Sequence, residues 1–143
     1  MLVSEIMNSD IKTIKSSDTV QKAAKLMNKY RIGGLIVTKK DGLEGIITER
    51  DIMTGLVALA KDASKVQVKE IMRTDIIVVE ENRTVEDAAN IMLEANVKKL
   101  PVVRGKELVG IVTSTDILAA QPKQMEIMSD ILVFPKKDRP VAG

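Results

Sequence analysis

Two short motifs carry the chemistry this sequence can offer. Gly45-Ile46-Ile47-Thr48-Glu49-Arg50-Asp51 and Gly110-Ile111-Val112-Thr113-Ser114-Thr115-Asp116 both read Gly-x-x-Thr-x-x-Asp. Each stands just before an apolar helical stretch, where free backbone N–H groups and the positive dipole end favour a phosphate. A threonine hydroxyl there adds a donor. One turn on, an acceptor-only carboxylate suits the paired hydroxyls of a ribose. Gly45 and Gly110 leave room for a ligand or a neighbouring strand to approach the backbone. The same four positions also read as a plain capping box, in which Thr and Asp only satisfy the helix end. Both readings stay open on the motif alone.

Composition narrows the field further. The 143 residues include no His and no Cys, which removes Ser-His-Asp triads, His-based metal sites, disulfides, thiol catalysis and thiolate clusters. Tyr30 and Phe134 are the only aromatics, too few for a base-stacking platform. Lys plus Arg is 22 against 20 for Asp plus Glu, and a net charge of +2 implies neither nucleic acid nor an anionic membrane. With 45% hydrophobic and 29% charged residues, the chain is of the folding, globular kind. No apolar run approaches the roughly 18 residues of a membrane helix, and Met1 to Asp10 lacks the pattern of a signal peptide. The expectation is a soluble cytoplasmic protein that is not an enzyme.

The elements that must position the motifs come in two copies. Shifted by 65 residues, residues 3–52 fall on 68–117 without a gap. Val3-Ser4-Glu5-Ile6-Met7 matches Val68-Lys69-Glu70-Ile71-Met72, Asp10-Ile11 matches Asp75-Ile76, and Thr19-Val20 and Ala23-Ala24 match Thr84-Val85 and Ala88-Ala89. Two copies are too few for a solenoid and imply a face-to-face pair with pseudo-two-fold symmetry. The boundaries are 1–66 for the first repeat, 67–120 for the second, and 121–143 for a C-terminal tail, with 61–67 as the linker.

Within each copy the spacing predicts strand, helix, strand, strand, helix. Ile11 to Ile14 and Ile76 to Val79 read as strands. Asp18 is the candidate N-cap of the first helix, with Gln21 as its capping-box partner. Val20, Ala23, Ala24 and Met27 form a buried stripe, repeated by Val85, Ala88, Ala89 and Met92. Leu35 to Thr38 and Leu100 to Val103 read as buried strands. They lead through turns at Asp41-Gly42 and Gly105-Lys106 into Gly45 to Thr48 and Gly110 to Thr113. The strands flanking the first helix should be parallel. The fold class is α/β (α+β).

Two copies opening on an apolar-Met motif and closing on Gly-x-x-Thr-x-x-Asp, with Val97-Lys98-Lys99-Leu100-Pro101-Val102-Val103 in the second, resemble tandem cystathionine β-synthase (CBS) domains, the Bateman module. The resemblance covers residues 1–120. It implies a regulatory module binding an adenosyl ligand, AMP, ADP or ATP and in some members S-adenosylmethionine or NAD, with no catalysis. It also implies clefts that cross the pair. One takes Thr113, Thr115 and Asp116 with Ile11, Lys12, Ile32 and Gly33; its mate takes Thr48, Arg50 and Asp51 with Ile76, Ile77, Val97 and Lys98. Aliphatic side chains such as Ile11, Ile32 and Ile76 would sandwich the base, unless they are simply core. The phosphate positions are unequal. Lys98 and Lys99 stand in the second copy where the first has Gly33 and Gly34, so the lysines are assigned to the Asp116 cleft, and Arg50 partly compensates beside Asp51. The first copy also has Leu35-Ile36 where the second has Leu100-Pro101.

The resemblance further implies a homodimer and a regulated protein partner. The second helices carry surplus apolar residues for pairing: Ile52, Met53, Leu56, Val57 and Leu59, and Ile117 to Ala120. The runner-up is a ligand-free module whose repeats only mediate association. In the tail, Glu126 to Ile131 echoes the repeat openings, and the apolar stretch Ile127 to Phe134 is expected to dock and to affect association.

Overall fold

The computed structural model describes residues 1–40 and 42–120. The expectations for Asp41 and for the tail lie outside the described residues. In chain order the elements are α1 (Val3–Ile6), β1 (Thr13–Lys15), α2 (Val20–Tyr30), β2 (Gly34–Lys39), β3 (Gly42–Thr48), α3 (Glu49–Ile52), β4 (Val79–Glu80), α4 (Val85–Ala95), β5 (Lys99–Arg104), β6 (Glu107–Thr113) and α5 (Ser114–Ala120). A π-helical turn, Met53–Val57, continues α3, and a 3-10 turn spans Val68–Glu70. The fold class is α/β, as the sequence reading expects.

The chain forms two compact units. The first is Lys12–Ile76; the second joins Met1–Ile11 to residues 77–120. In the first, β1 runs parallel to β2 and β2 antiparallel to β3, with a bulge between Val37 and Thr38. The second repeats this: β4 is parallel to β5 and β5 antiparallel to β6, with its bulge between Val102 and Val103. Both parallel connections pass through an eleven-residue helix.

The cores follow the repeat. In the first unit Ile14, Ala23, Met27, Leu35, Val37 and Ile47 pack around Val68. In the second, Val79, Ala88, Ala89, Met92, Leu100, Val102, Val112 and Ile117 pack around Val3. Each unit is thus completed by the opening segment of the other sequence repeat. Four backbone bridges hold those segments, Leu2–Thr84 and Asn8–Ile111 in one unit and Thr19–Gln67 and Ile46–Arg73 in the other. Ile46 and Arg73 exchange N–H···O bonds of 2.9 Å in both directions, and Asn8 and Ile111 exchange bonds of 2.8 and 2.9 Å. This is why glycine precedes Ile46 and Ile111. A Cβ at Gly45 would sit 2.5 Å from the Arg73 carbonyl oxygen, and one at Gly110 would sit 2.5 Å from Met7 Sδ. The close approach that both glycines permit is made by chain.

Local details depart from expectation in four places. The N-cap of α2 is Thr19, whose Oγ1 accepts from Lys22 N at 3.2 Å. Asp18 instead accepts from Lys15 N at 3.1 Å and from Lys22 Nζ at 3.3 Å, so Gln21 is no capping partner. Two adjacent capping residues compete here, and the one with the extended backbone wins. Ala24 is exposed although its counterpart Ala89 is buried. After α3 the chain widens into its π turn, which buries Leu56 and leaves Met53, Val57 and Leu59 more than half exposed. Residues 61–67 are not a free linker: Val66 is buried against Val20 and Leu56, and its carbonyl accepts from Val20 N at 2.9 Å.

Candidate functional site

The closing motif of each copy lies where the last strand of its unit turns into a helix. In the first unit Thr48 is extended and caps α3. Its Oγ1 accepts from Asp51 N at 3.2 Å, while Asp51 Oδ2 accepts from Thr48 N at 2.8 Å and from Thr48 Oγ1 at 2.9 Å. In the second unit Thr113 Oγ1 accepts from Asp116 N at 3.1 Å and Asp116 Oδ2 accepts from Thr113 N at 2.9 Å. Both motifs therefore do form capping boxes. A carboxylate has acceptor capacity beyond that one oxygen, and there the units diverge.

Asp51 spends that capacity on Arg73, whose Nε lies 3.5 Å from Oδ1. The sequence reading missed Arg73. The signal was available: one repeat earlier the same position is Asn8. Asn8 has no charge, and its Oδ1 accepts from Asp10 N at 2.9 Å. Among the described residues Asp116 carries no ion pair, and its Oδ1 accepts no hydrogen bond.

The flanking residues differ as well. Strand register sets Lys99 opposite Thr113, and the Lys98 carbonyl accepts from Ser114 N at 2.9 Å. The backbones of two exposed lysines thus flank the Thr113–Asp116 box. In the first unit Gly34 stands opposite Thr48, and the Gly33 carbonyl accepts from Glu49 N at 3.0 Å. The two glycines themselves carry no charge, and a Cβ at Gly33 would meet Glu49 Oε1 at 3.6 Å.

The residues expected with Asp116 divide between the units. Ile11, Lys98, Lys99, Thr113 and Thr115 share the second unit with it, and Lys12, Ile32 and Gly33 belong to the first. Of those expected with Asp51, Thr48, Arg50 and Ile76 share its unit, and Ile77, Val97 and Lys98 belong to the second. Ile32 and Val97 are half-buried and packed on their own cores. Ile32 also lines a cavity of about 360 Å³ with Glu49 and Ile52. Ile11 and Ile76 are half-buried, Ile77 is 45% exposed, and Arg50 and Thr115 are exposed. Lys12 places its ammonium 4.5 Å from the centre of the Tyr30 ring. Among the described residues no three His, Cys, Asp or Glu side chains gather as metal ligands, and no helix is long and apolar enough to cross a membrane.

A strand–helix–strand–strand–helix unit written twice, each copy closing on Thr-x-x-Asp, defines a class. The CBS domain model matches residues 3–58 and again 68–123. The chain belongs to the CBS domain family. It is 32% identical over 119 residues to the CBS domain-containing protein YhcV of Bacillus subtilis, covering 83% of this chain and 84% of that protein. It is 33% identical over 120 residues to hypoxic response protein 1 of Mycobacterium tuberculosis, with the same coverage of both. Among solved structures, the CBS domain protein TA0289 of Thermoplasma acidophilum superposes with a TM-score of 0.79 at 32% identity, covering 94% of this chain and 75% of that one.

Proposed function

We propose that this protein is a non-catalytic regulatory module that binds adenine nucleotides and passes the bound state to a protein partner. The observation that carries the reading is the Asp116 box: one carboxylate oxygen caps α5, the other has no partner among the described residues, and the backbones of Lys98 and Lys99 flank the box. Ribose hydroxyls donate to Asp116 and the phosphates meet the lysines. Charge-assisted hydrogen bonds of this type are the strong ones. Thr115 adds an exposed hydroxyl on the first turn of α5. Membership of the CBS family, whose members are in general regulatory, supports the same reading. In the first unit Asp51 is the weaker counterpart, because Arg73 already occupies its free oxygen and Gly33 and Gly34 supply no charge.

A thermal-shift panel of AMP, ADP, ATP, NAD and S-adenosylmethionine tests this. A ligand held only by the folded chain stabilises it by about 2.7 kcal/mol at one hundred times its Kd. AMP, ADP or ATP should raise the melting temperature. If no member of the panel does, the nucleotide reading fails.

Self-association belongs to the same reading. Met53, Val57 and Leu59 are 56%, 64% and 59% exposed within seven residues of chain. Large apolar side chains grouped on a surface mark an association site. A homodimer mass by light scattering at micromolar concentration is expected, and a monomer mass would remove this part. That surface also favours the second reading, an association module with empty ligand sites, which the thermal-shift panel separates from the first.

A further inference from the structure

At the other end of the first-unit sheet, where β1 and β2 finish and β3 begins, a cavity of about 480 Å³ opens. Lys15, Lys39, Lys40 and Lys69 line it together with Ser16 and Glu44. Its volume is that of a small-molecule site. One polar atom in its wall is buried with no partner among the described residues, Glu44 Oε2. Ser16 beside it is 7% exposed. Orphaned buried polar atoms are uncommon in native proteins and ask for an occupant. The four lysines are exposed and carry no ion pair among the described residues.

The backbone gives an independent indication. Lys40 has φ of 51°, a left-handed conformation unfavourable for a side chain with a Cβ. One repeat later the same position is Gly105, with φ of 62°. The first copy therefore holds a lysine where its duplicate uses the unstrained residue, and strain of this kind gathers at functional sites. At the corresponding place in the second unit the charged groups are paired. Arg104 Nε and Nη2 donate to the two Glu81 oxygens at 2.5 and 3.1 Å, and Gly105 N donates to Glu80 at 3.4 Å. There the charges satisfy one another; in the first unit the described charged residues that line the cavity are all lysines except Glu44.

We propose that this cavity binds a small phosphate ester that also carries hydroxyl groups. Its phosphate is held by the lysines, and a hydroxyl donates to the half-buried Glu44 carboxylate, with Ser16 completing the polar wall. Lysine suits phosphate as a compact charge. Glu44 opposes a bare anion and accepts from a hydroxyl, so it selects the ester over inorganic phosphate. The site lies at the opposite end of the strands from Thr48 and Asp51 and does not rest on the nucleotide reading.

The test is an amide chemical-shift titration of the full isotope-labelled chain with ribose 5-phosphate, inorganic phosphate and ribose at constant ionic strength. Ribose 5-phosphate should shift residues 15–17, 38–40, 42–44 and 69, and bind at least about tenfold more tightly than either fragment. Lys39→Gln with Lys69→Gln should abolish that binding. Glu44→Gln should weaken ribose 5-phosphate and leave inorganic phosphate unchanged or tighter, opposite signs that a folding defect does not give. Equal affinity for ester and phosphate, indifference to Glu44→Gln, or shifts confined to residues 98–99 and 113–116 would overturn the proposal. The last outcome would leave the nucleotide reading standing.

Discussion

The two units share a plan and differ in charge. Both have the crossover helix, the bulged hairpin, the capping Thr-x-x-Asp box and the glycine over which a chain segment passes. The second has Lys98 and Lys99 at the closing motif and a closed Glu81–Arg104 pair at the far end of its sheet. The first has the reverse: glycines and an Arg73-bound Asp51 at the closing motif, and four lysines around a cavity at the far end. What the copies hold in common builds the fold. What they do not share is where ligand chemistry is to be sought. An identical capping box is by itself no evidence of a ligand, because both boxes satisfy helix ends in the same way.

The largest expected effect separates the two glycines. A Cβ at position 45 meets backbone, the Arg73 carbonyl at 2.5 Å, with Met72 Sδ at 3.1 Å. At position 110 the 2.5 Å contact is the flexible end of Met7, with the Asn8 carbonyl at 3.2 Å. Gly45→Ala should cost about 1–3 kcal/mol, as overpacking does, and Gly110→Ala less, both read from urea unfolding. Equal losses would show that the two approaches are equally rigid. Next come the caps. Thr48→Ala and Thr113→Ala should each cost about 0.5–2 kcal/mol, with similar values because the boxes are alike. Arg73→Ala is smaller, about 0.2–1 kcal/mol for a pair whose cation is 61% exposed. A larger drop in melting temperature would mean that Asp51 depends on Arg73 for its placement.

The smallest effect is one of pH. The Arg104 guanidinium holds the Glu81 carboxyl below its ordinary value of 4.5. A carboxyl depressed by folding contributes stability above its unfolded value and loses it as pH falls through the folded one. Arg104→Gln should therefore flatten the acid-side decline of the melting temperature between about pH 6 and pH 3. An unchanged profile would show that this exposed pair contributes nothing.

The repeat made the fold legible. An offset of 65 aligned strands, helix stripes and hairpins, because each position faces the same packing in both copies. The composition of each unit was not legible. Val3 and Val68 are the same residue at the same repeat position and are both fully buried, so nothing in the sequence says which core accepts which. The backbone bridges at Ile111 and Ile46 decide it. The Asp18 cap was misassigned because Asp18 and Thr19 both suit a helix start and only backbone geometry separates them. At the site, Lys98 and Lys99 were legible as a difference between the copies. Arg73 against Asn8 was equally visible, but its reach to Asp51 depends on the chain passing over Gly45. The lysine cavity draws on β1, β2 and residue 69, which no local pattern brings together.

Calorimetric titration of AMP and ATP into the wild type, Asp116→Ala and Asp51→Ala, alongside their melting curves, tests the central claim most directly. Hydrogen bonds to a charged group contribute about 1.5–3 kcal/mol, and 1.4 kcal/mol is about tenfold in affinity. Asp116→Ala should weaken nucleotide binding by roughly tenfold or more and Asp51→Ala by less, while both lower the melting temperature through the lost cap. Equal losses of stability with unchanged affinity in both variants would reduce the two aspartates to helix caps and contradict the account.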